Sequence, residues 1–270
     1  MIEVRDVYYT YPNGVEALRG VSLSIDRGEF VAIMGENGAG KTTLIKHFNG
    51  LLKPTKGTVL VDGMDTSKST VAQLSRKVGI VFQNPESQFF CESVYDEVAF
   101  ALRNFGFPED EIDAMVVETL RRLGLERYAK KSPFLLSGGE KKRVAIASVL
   151  VWNPDYVVMD EPTVGQDYRA KVELLNLIDE LLDEGRAVVV VTHDVEFVAE
   201  CEPRVVLMSR GRIRADGDAH EVFSDFDLLS RASVAPPQSA RFTKIVFGRP
   251  EALNVEEAFK LVSARLGVGG

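Results

Sequence analysis

The sequence predicts an α/β fold in which a mainly parallel sheet is covered by helices on both faces. Residues 30–34, 156–159 and 187–191 form short, continuous apolar runs, the pattern of strands buried on both faces. Helical stretches separate these runs, and strands that alternate with helices build a parallel sheet. Ligands of such sheets bind at the carboxyl ends of the strands. The residues that follow these runs are therefore the first candidates for a site.

The other predicted elements continue the alternation. Two alternating segments at the start are typical of strands, and the turn Pro12-Asn13-Gly14 lies between them. A polar stretch over residues 83–136 has helical character and little strand signal, so we interpret it as a helical insertion. The predicted strands are 2–11, 21–25, 30–34, 58–61, 78–82, 156–159, 187–191, 204–208 and 212–214, and the predicted helices are 42–49, 92–107, 109–123, 139–151 and 168–182.

These elements indicate one main domain, residues 1–234, with a helical subdomain at about 84–150 inserted in it. A chain of 270 residues accommodates such a domain and a small appendage. Pro236-Pro237 is a natural linker to a short C-terminal extension, residues 235–270, in which Asn254 and Glu257 predict a capped helix. We expect this helix to pack on the domain or on a neighbouring copy, where it would stabilise a dimer. Its apolar stripe is Val255, Ala258, Phe259 and Val262.

Composition excludes several classes of protein. The net charge of -8 argues against a nucleic-acid binder, which usually carries a basic face. Cys91 and Cys201 lie far apart and outside any C-x-x-C pair, so we expect two packing residues in a reducing compartment rather than a metal or disulfide framework. No apolar run approaches the roughly 20 residues that span a bilayer, and the start of the chain lacks the pattern of a secretory signal.

The segment after the first buried strand, GENGAGKT, fits the phosphate-binding pattern G-x-x-x-x-G-K-[ST]. Its glycines let backbone N–H groups converge on phosphate oxygens, and the helix that follows adds the positive end of its dipole. Lys41 would place a positive charge between the β- and γ-phosphates, and Thr42 would offer a hydroxyl to Mg²⁺. The predicted nucleotide contacts are Gly35, Asn37, Gly38, Ala39, Gly40, Lys41, Thr42 and Thr43.

Two carboxylates follow the buried strand 156–159. Asp160 suits a magnesium site, and Glu161 is placed to polarise an attacking water. Glu161 would face away from Asp160 if the strand continued through it. Acidic pairs at strand ends are also common surface features, so the catalytic interpretation depends on the neighbouring phosphate loop.

Leu136-Ser137-Gly138-Gly139-Glu140 begins another predicted helix. A serine and two glycines at a helix N-terminus make a second anion site, although alone they usually form only a helix cap. The basic residues Lys141, Lys142 and Arg143 that follow are expected to form a solvated helix face.

Leu-Ser-Gly-Gly between a phosphate loop and an acidic strand resembles the signature of ABC ATPases, and the chain is similar to that family almost from end to end. The resemblance implies a P-loop NTPase core, with a mixed, mainly parallel sheet, an antiparallel β edge and a helical subdomain. It also assigns roles by position. Tyr11 would stack on adenine, although Tyr8 and Tyr9 lie close. Gln83 would touch Mg²⁺ and the water, Asp167 would lie in the D-loop and His193 would contact the γ-phosphate.

The family's mechanism implies a dimer, either of two copies or of this chain and a related ATPase subunit. The signature of one subunit, Ser137, Gly138 and Gly139, would complete the ATP site of the other in trans. Magnesium would be held by Thr42, Asp160 and Gln83, while Glu161, His193, Gln83 and Lys41 would be the catalytic set. A transmembrane coupling subunit and a substrate-binding membrane subunit would be the other partners, at the cytoplasmic face of the membrane and without nucleic acid.

The branch of the family is indicated by three segments: Tyr11-Pro12-Asn13-Gly14, VFQNPESQ at residues 81–88 and VYDEVAF at 94–100. These are similar to the ATPases of energy-coupling factor transporters, which power uptake of vitamins and of cobalt or nickel. The alternatives are the ATPase of another ABC importer or exporter and a soluble ABC ATPase without a transport role. Two residues depart from the family pattern. Gln166 stands where leucine is common before the D-loop aspartate, which puts cross-dimer geometry in doubt, and Glu140 stands in place of glutamine, with little expected consequence.

Overall fold

The computed structural model describes residues 1–266, and it contains two sheets. The larger has six strands in the order β10-β9-β3-β8-β7-β6, and the smaller has four in the order β2-β1-β4-β5. In the larger sheet β10 pairs antiparallel with β9, while the pairs from β9 through β6 are parallel. The strands are β1 (Ile2–Thr10), β2 (Glu16–Ile25), β3 (Phe30–Gly35), β4 (Lys56–Val61), β5 (Met64–Asp65), β6 (Val78–Val81), β7 (Tyr156–Asp160), β8 (Ala187–Thr192), β9 (Arg204–Ser209) and β10 (Arg212–Asp218).

Helices cover one face of the six-stranded sheet, whereas the four-stranded sheet shares the other face with α1, so the prediction of helices on both faces was incomplete. The helices are α1 (Lys41–Phe48), α2 (Val71–Ser75), α3 (Val94–Phe105), α4 (Glu109–Arg122), α5 (Gly138–Leu150), α6 (Tyr168–Asp183), α7 (Val195–Cys201), α8 (Ala219–Ser224), α9 (Phe226–Arg231), α10 (Gln238–Phe247) and α11 (Val255–Leu266). Single 3-10 turns at Pro85–Ser87, Glu126–Tyr128 and Pro133–Leu135 lie near α3, α4 and α5. The α/β class, the mixed sheet and the antiparallel edge are confirmed.

The six-stranded sheet separates two hydrophobic cores, which explains why its strands lack alternation. Val31 and Ile33 of β3 face the core shared with the small sheet and α1, whereas Ala32 and Met34 face the core shared with the helical half. All four side chains are buried. A strand covered on both sides must be apolar at every position, as the continuous runs predicted.

Several predicted boundaries were wrong, and local chemistry explains the differences. β2 begins at Glu16 rather than at residue 21, because its first half pairs with β1 at a partly solvated edge. α3 begins after Ser93, whose hydroxyl accepts the Asp96 N–H at 3.1 Å. The same helix ends where Gly106 adopts φ 81°. Helices α2, α8, α9 and α10 were not predicted.

The C-terminal helices α10 and α11 contact the rest of the chain at a few buried residues; the structure describes the predicted extension as far as residue 266, and residues 267–270 lie outside the described residues. Ala240 and Leu253 are buried in the core of the helical half, and Asn254 accepts the N–H of Glu257 at 2.9 Å, as predicted. The His220 ring lies 3.1 Å from a carboxylate oxygen of Glu257, which ties α11 to α8. Of the predicted stripe, Ala258 is buried but Val255 and Phe259 are 77% and 70% exposed.

Candidate active site

The candidate site lies at the carboxyl ends of β3, β7 and β8. These strands are neighbours in the order β3-β8-β7, so the segments that follow them meet at one edge of the sheet. The phosphate loop follows β3, the two carboxylates end β7, and Thr192 ends β8 directly before His193. Parallel order thus brings together residues that are more than a hundred positions apart in the chain.

The phosphate loop requires glycine at its two ends. Gly35 has φ 144°, and a Cβ there would lie 2.1 Å from the carbonyl oxygen of Met208. Gly40 has φ 103°, and a Cβ there would lie 2.6 Å from the carbonyl oxygen of Ala17. Both distances are too short for any side chain, so the loop is fixed by close backbone approach as well as by conformation.

Lys41 folds back over this loop. Its ammonium group donates to the carbonyl oxygens of Gly35 at 2.7 Å and Glu36 at 3.0 Å, and the side chain is buried. Burial lowers the pKa of Lys41, against the opposing effects of Glu161 and Asp160. An ammonium has three protons, so one remains for a phosphate oxygen.

Asp160 lies against the start of α1. Its Oδ2 accepts a hydrogen bond from the Thr42 hydroxyl at 2.8 Å. Burial raises the pKa of Asp160, and the bond from Thr42 opposes that rise. A buried carboxylate with one hydrogen-bond donor keeps free lone pairs, and oxygen ligands of this kind suit Mg²⁺. The donor set of Thr42 and Asp160 therefore fits a magnesium ion.

Glu161 lies beyond the end of β7, in a left-handed conformation with φ 51°. The strand does not continue through it, so the turn of the backbone, not strand alternation, directs its side chain away from Thr42. One carboxylate oxygen lies 2.8 Å from His193 Nδ1, and the other accepts from the Thr192 hydroxyl at 3.3 Å. Glu161 is buried, whereas the His193 side chain is 60% exposed. The Glu161 carboxylate is thus held by two partners, one of which, the His193 ring, lies at the surface.

Tyr11 contacts the helix after the phosphate loop through its hydroxyl. Its hydroxyl lies 2.9 Å from the Thr43 hydroxyl, and its ring packs edge-on against Tyr9. Tyr9 packs on His47 in turn, and Tyr8 lies under the Lys56 ammonium. Tyr11 thus contacts α1 through its hydroxyl, whereas Tyr9 contacts the same helix through its ring.

Other predicted residues lie apart from this cluster. Gln83 and Asn37 are exposed, and Gln83 makes no side-chain hydrogen bond to any residue between 1 and 266. Ser137 and Gly139 border a cavity of about 780 Å³ between α4, α5 and α6. Within the described part of the chain, no phosphate-loop residue lines that cavity. The signature and the phosphate loop of one copy therefore do not share this cavity.

The basic residues at the start of α5 are not simply a solvated face, so that expectation was wrong. Lys142 is half-buried and donates to the carbonyl oxygens of Pro162, at 3.1 Å, and Val164. Lys141 pairs with Glu86 in the segment after β6. Lys142 therefore connects α5 with the segment after β7, and Lys141 connects it with the segment after β6. The helix dipole disfavours cations in the first turn, so the position of these lysines could have indicated that they have specific partners.

Comparisons with known proteins agree with this geometry. Residues 18–164 match the family model described as ABC transporter. An energy-coupling factor transporter ATP-binding protein of Methanothermobacter thermautotrophicus is 44% identical over 265 residues, which cover 96% of this chain and 85% of the relative. The namesake protein of Methanocaldococcus jannaschii is 38% identical, covering 98% and 95%. The chain belongs to the ABC transporter family.

Solved structures of ABC proteins share the fold. CbiO1 of Clostridium perfringens, described as part of the ABC transporter complex CbiONQ, is 38% identical with a TM-score of 0.75, and the match covers 92% of this chain and 95% of that one. The ATP-binding cassette MJ0796, described as a post-hydrolysis dimer with ADP and phosphate, is 32% identical with a TM-score of 0.74, covering 81% and 99%. This ABC protein is accordingly an ATPase that binds ATP. Across residues 1–266, its helices are too short or too polar to traverse a bilayer.

Proposed function

We propose that this ABC ATPase hydrolyses Mg²⁺-ATP between two subunits and thereby drives an energy-coupling factor type of uptake transporter. The observation that supports this chemistry is that the two carboxylates at the end of β7 have different partners. Asp160 accepts a hydrogen bond from Thr42, with which it would bind magnesium, whereas Glu161 contacts His193. Adjacent carboxylates with separate partners can serve two roles in one reaction.

The phosphate side of the site is formed by the loop, Lys41 and Thr42. Backbone N–H groups of the loop and the amino end of α1 would hold the β- and γ-phosphates. Magnesium, when bound by Thr42, Asp160 and Gln83, supplies charge neutralisation at the phosphate oxygens. Gln83 follows β6, which is the neighbour of β7 in the sheet. From this position its side chain would join Thr42 and Asp160 as a magnesium ligand.

Glu161 would orient and deprotonate the water that attacks the γ-phosphoryl group. Its buried carboxylate is held by Thr192 and His193, which limits the positions its oxygens can take. Restraint of this kind favours catalysis because the base is already oriented when charge develops. His193, at the surface, would steady the transferring group.

A second subunit completes this site. Ser137, Gly138 and Gly139 are exposed or half-buried at the amino end of α5, away from the chain's own phosphate loop. Two copies, or one copy and a related ATPase, would clamp two ATP molecules head to tail. ATP favours the closed dimer because it bridges both halves, and hydrolysis removes that bridge. The helical subdomain would transmit the change to a transmembrane coupling subunit.

The transporter type is supported by the relatives. Two of them are named for the energy-coupling factor, and CbiO1 is described as part of the complex CbiONQ. A substrate-binding membrane subunit would choose the cargo, a vitamin or a transition-metal ion, and the ATPase would lie peripherally at the cytoplasmic face. Purification from native membranes with identification of the copurifying proteins tests this. A transmembrane pair without a small substrate-binding subunit would instead indicate another ABC importer or exporter.

The C-terminal extension would stabilise the dimer through the exposed residues of α10 and α11. Ile245 is 82% and Phe259 70% exposed, although both belong to helices that pack on the domain. Ile245→Glu and Phe259→Glu should leave the fold intact and weaken self-association, measured by sedimentation. Leu135→Glu, a change at an 84% exposed site in the helical subdomain, is the matched control. Unchanged association in both extension variants would remove this role.

Replacing the base tests the reaction itself. Glu161→Gln keeps the size and hydrogen-bonding capacity of the side chain but cannot accept the proton, so ATP should still bind. Steady-state phosphate release should fall by about a hundredfold or more, since general bases contribute about that factor. The arrested protein should also accumulate as an ATP-bound dimer. Release near the wild-type rate would remove Glu161 from the base role.

A further inference from the structure

Glu140 contacts the signature serine directly. Its Oε2 accepts the Ser137 hydroxyl at 2.8 Å and the Ser137 N–H at 2.8 Å, while its Oε1 accepts the Tyr128 hydroxyl. Ser137 in turn caps α5 by accepting the Glu140 N–H at 3.4 Å. The residue expected to be of little consequence therefore holds the group that would reach the γ-phosphate of the other subunit.

The charge of Glu140 determines where the serine proton lies. The hydrogen bond from Tyr128, followed by those from Ser137, lowers the pKa of Glu140 to about 2, so the side chain is a carboxylate at neutral pH. An ionised carboxylate only accepts hydrogen bonds. A serine hydroxyl has one proton, and at this distance it donates that proton to Glu140. To donate to a phosphate oxygen, Ser137 must first release the carboxylate.

The carboxylate also lies in the first turn of α5. There it neutralises part of the positive end of the helix dipole, which would otherwise attract an anion. Glutamine closes the same capping box with Ser137 but carries no charge. Glutamate at this position therefore retains the cap and makes the helix end a weaker anion site.

We propose that Glu140 is a positioning residue that opposes the docking of ATP on the signature of the facing subunit. It holds the Ser137 hydroxyl and repels the incoming triphosphate, so that the closed dimer forms only at a higher ATP or protein concentration. This rests on the proposed function, in which Ser137 meets the γ-phosphate in trans. Its effect is on closure, not on the nucleotide affinity of one subunit.

The experiment measures ATP-dependent dimerisation in a Glu161→Gln background, where ATP is not consumed. Adding Glu140→Gln should lower the dissociation constant of the homodimer by about tenfold for each of its two signatures, or about a hundredfold in all, since one hydrogen bond to a charged group accounts for about tenfold. The difference between the two proteins should shrink as salt rises, because screening weakens charge repulsion. ATP affinity of the monomer should remain unchanged.

Two matched variants separate this charge effect from a change in folding. Glu173→Gln neutralises a carboxylate that lines the same cavity and does not contact Ser137, and it should leave dimerisation unchanged. Tyr128→Phe removes one hydrogen bond from Glu140 but keeps its charge, and it should tighten the dimer far less than Glu140→Gln. If Glu140→Gln shifts the melting temperature, the ATP affinity of the monomer decides, since a damaged fold would lower that affinity and a change in docking would not.

The results of this experiment separate the role of Glu140 from the proposed function on which it rests. If Glu161→Gln shows no ATP-dependent dimer under any condition, the proposed function fails. If that dimer forms but Glu140→Gln changes neither its dissociation constant nor its salt dependence, the role of Glu140 is overturned and the function stands. An equal effect from Glu173→Gln would also overturn it, because the effect would then be one of general surface charge.

Discussion

The hydroxyl of Thr42 donates a hydrogen bond to Asp160 Oδ2 at 2.8 Å, across 118 positions of sequence. The contact exists because β3 and β7 lie on either side of β8, so the helix after one strand meets the last residue of the other. A hydroxyl and a buried carboxylate in this arrangement would supply two of the six oxygen ligands of an octahedral magnesium ion. This hydrogen bond links the start of α1, directly after the phosphate loop, to the carboxylate that ends β7.

Asp160→Asn should raise the magnesium requirement of hydrolysis. The amide keeps a bond with Thr42 but lacks the charge that holds the cation, so phosphate release at fixed magnesium should fall on the order of a hundredfold. Magnesium titrations of ATP hydrolysis measure the change, and EDTA should abolish release in the unmodified protein. Asp110→Asn, on an exposed turn of α4, is the control. An unaltered magnesium curve in Asp160→Asn would exclude Asp160 from the metal site.

Tyr11→Ala should weaken ATP binding. Loss of base stacking costs about 1–3 kcal/mol, which corresponds to about fivefold to 150-fold in the dissociation constant. Tyr11→Phe keeps the ring but loses the contact with Thr43, and it should bind ATP nearly as well as the unmodified protein. Fluorescence titration with a labelled nucleotide measures both variants.

Tyr8→Ala is the matched control for this prediction, because Tyr8 lies under Lys56 rather than beside α1. It should leave the nucleotide affinity close to that of the unmodified chain. A larger loss from Tyr8→Ala than from Tyr11→Ala would move the adenine to the other ring.

The parts of the site that sequence predicted are those in which backbone pattern and chemistry coincide. The run 30–34 and the GENGAGKT segment identify a buried strand, a phosphate loop and a helix, because each requires its residues at fixed spacing. Asp160 and Glu161 follow the same logic, since a wholly apolar strand that ends in acids points to the ligand edge. The structure brings these groups together as expected.

The features that the sequence did not predict depend on contacts between distant segments. Lys142 reaches the carbonyl oxygens of Pro162 and Val164, about 20 positions away, and no local pattern specifies that contact. Helix α10 was missed because its apolar residues are mostly exposed and the prolines before it indicate a linker. Tertiary packing stabilises such helices more than propensity does.

His193→Ala should slow hydrolysis and leave ATP binding intact. The imidazole holds Glu161 through a 2.8 Å contact at Nδ1, and its loss frees the carboxylate to rotate. We expect phosphate release to fall by about a hundredfold, the size of one positioned polar group in a transition state. Rapid-quench measurements with saturating ATP separate the chemical step from binding. His220→Ala, at the contact with Glu257, is the control, and an equal loss there would indicate a general effect on folding.

Asp62→Asn should destabilise the fold without touching the site. Asp62 accepts hydrogen bonds from Lys77 at 2.9 Å, Arg27 at 2.8 Å and the Tyr156 hydroxyl at 2.7 Å. Burial alone would raise the pKa of Asp62, but these bonds and one from the amino terminus hold the pKa well below its usual range. The variant should lose about 1–2 kcal/mol of unfolding free energy at pH 7, as expected for weakened hydrogen bonds to a charged group.

The same lowered pKa sets the pH dependence of that loss. A group whose folded pKa is depressed stabilises the fold fully above its unfolded pKa, near 3.9 for aspartate, and the stabilisation is lost progressively as pH falls from that value through the folded pKa. The stability difference between the unmodified chain and Asp62→Asn should therefore be full at pH 7 and smaller at pH 3. Urea unfolding at both pH values measures it, with Asp26→Asn in an exposed turn as the control. A difference that stays constant between pH 7 and pH 3 would show that the carboxylate charge contributes nothing, because only the unmodified chain can take up a proton at this position when it unfolds at low pH.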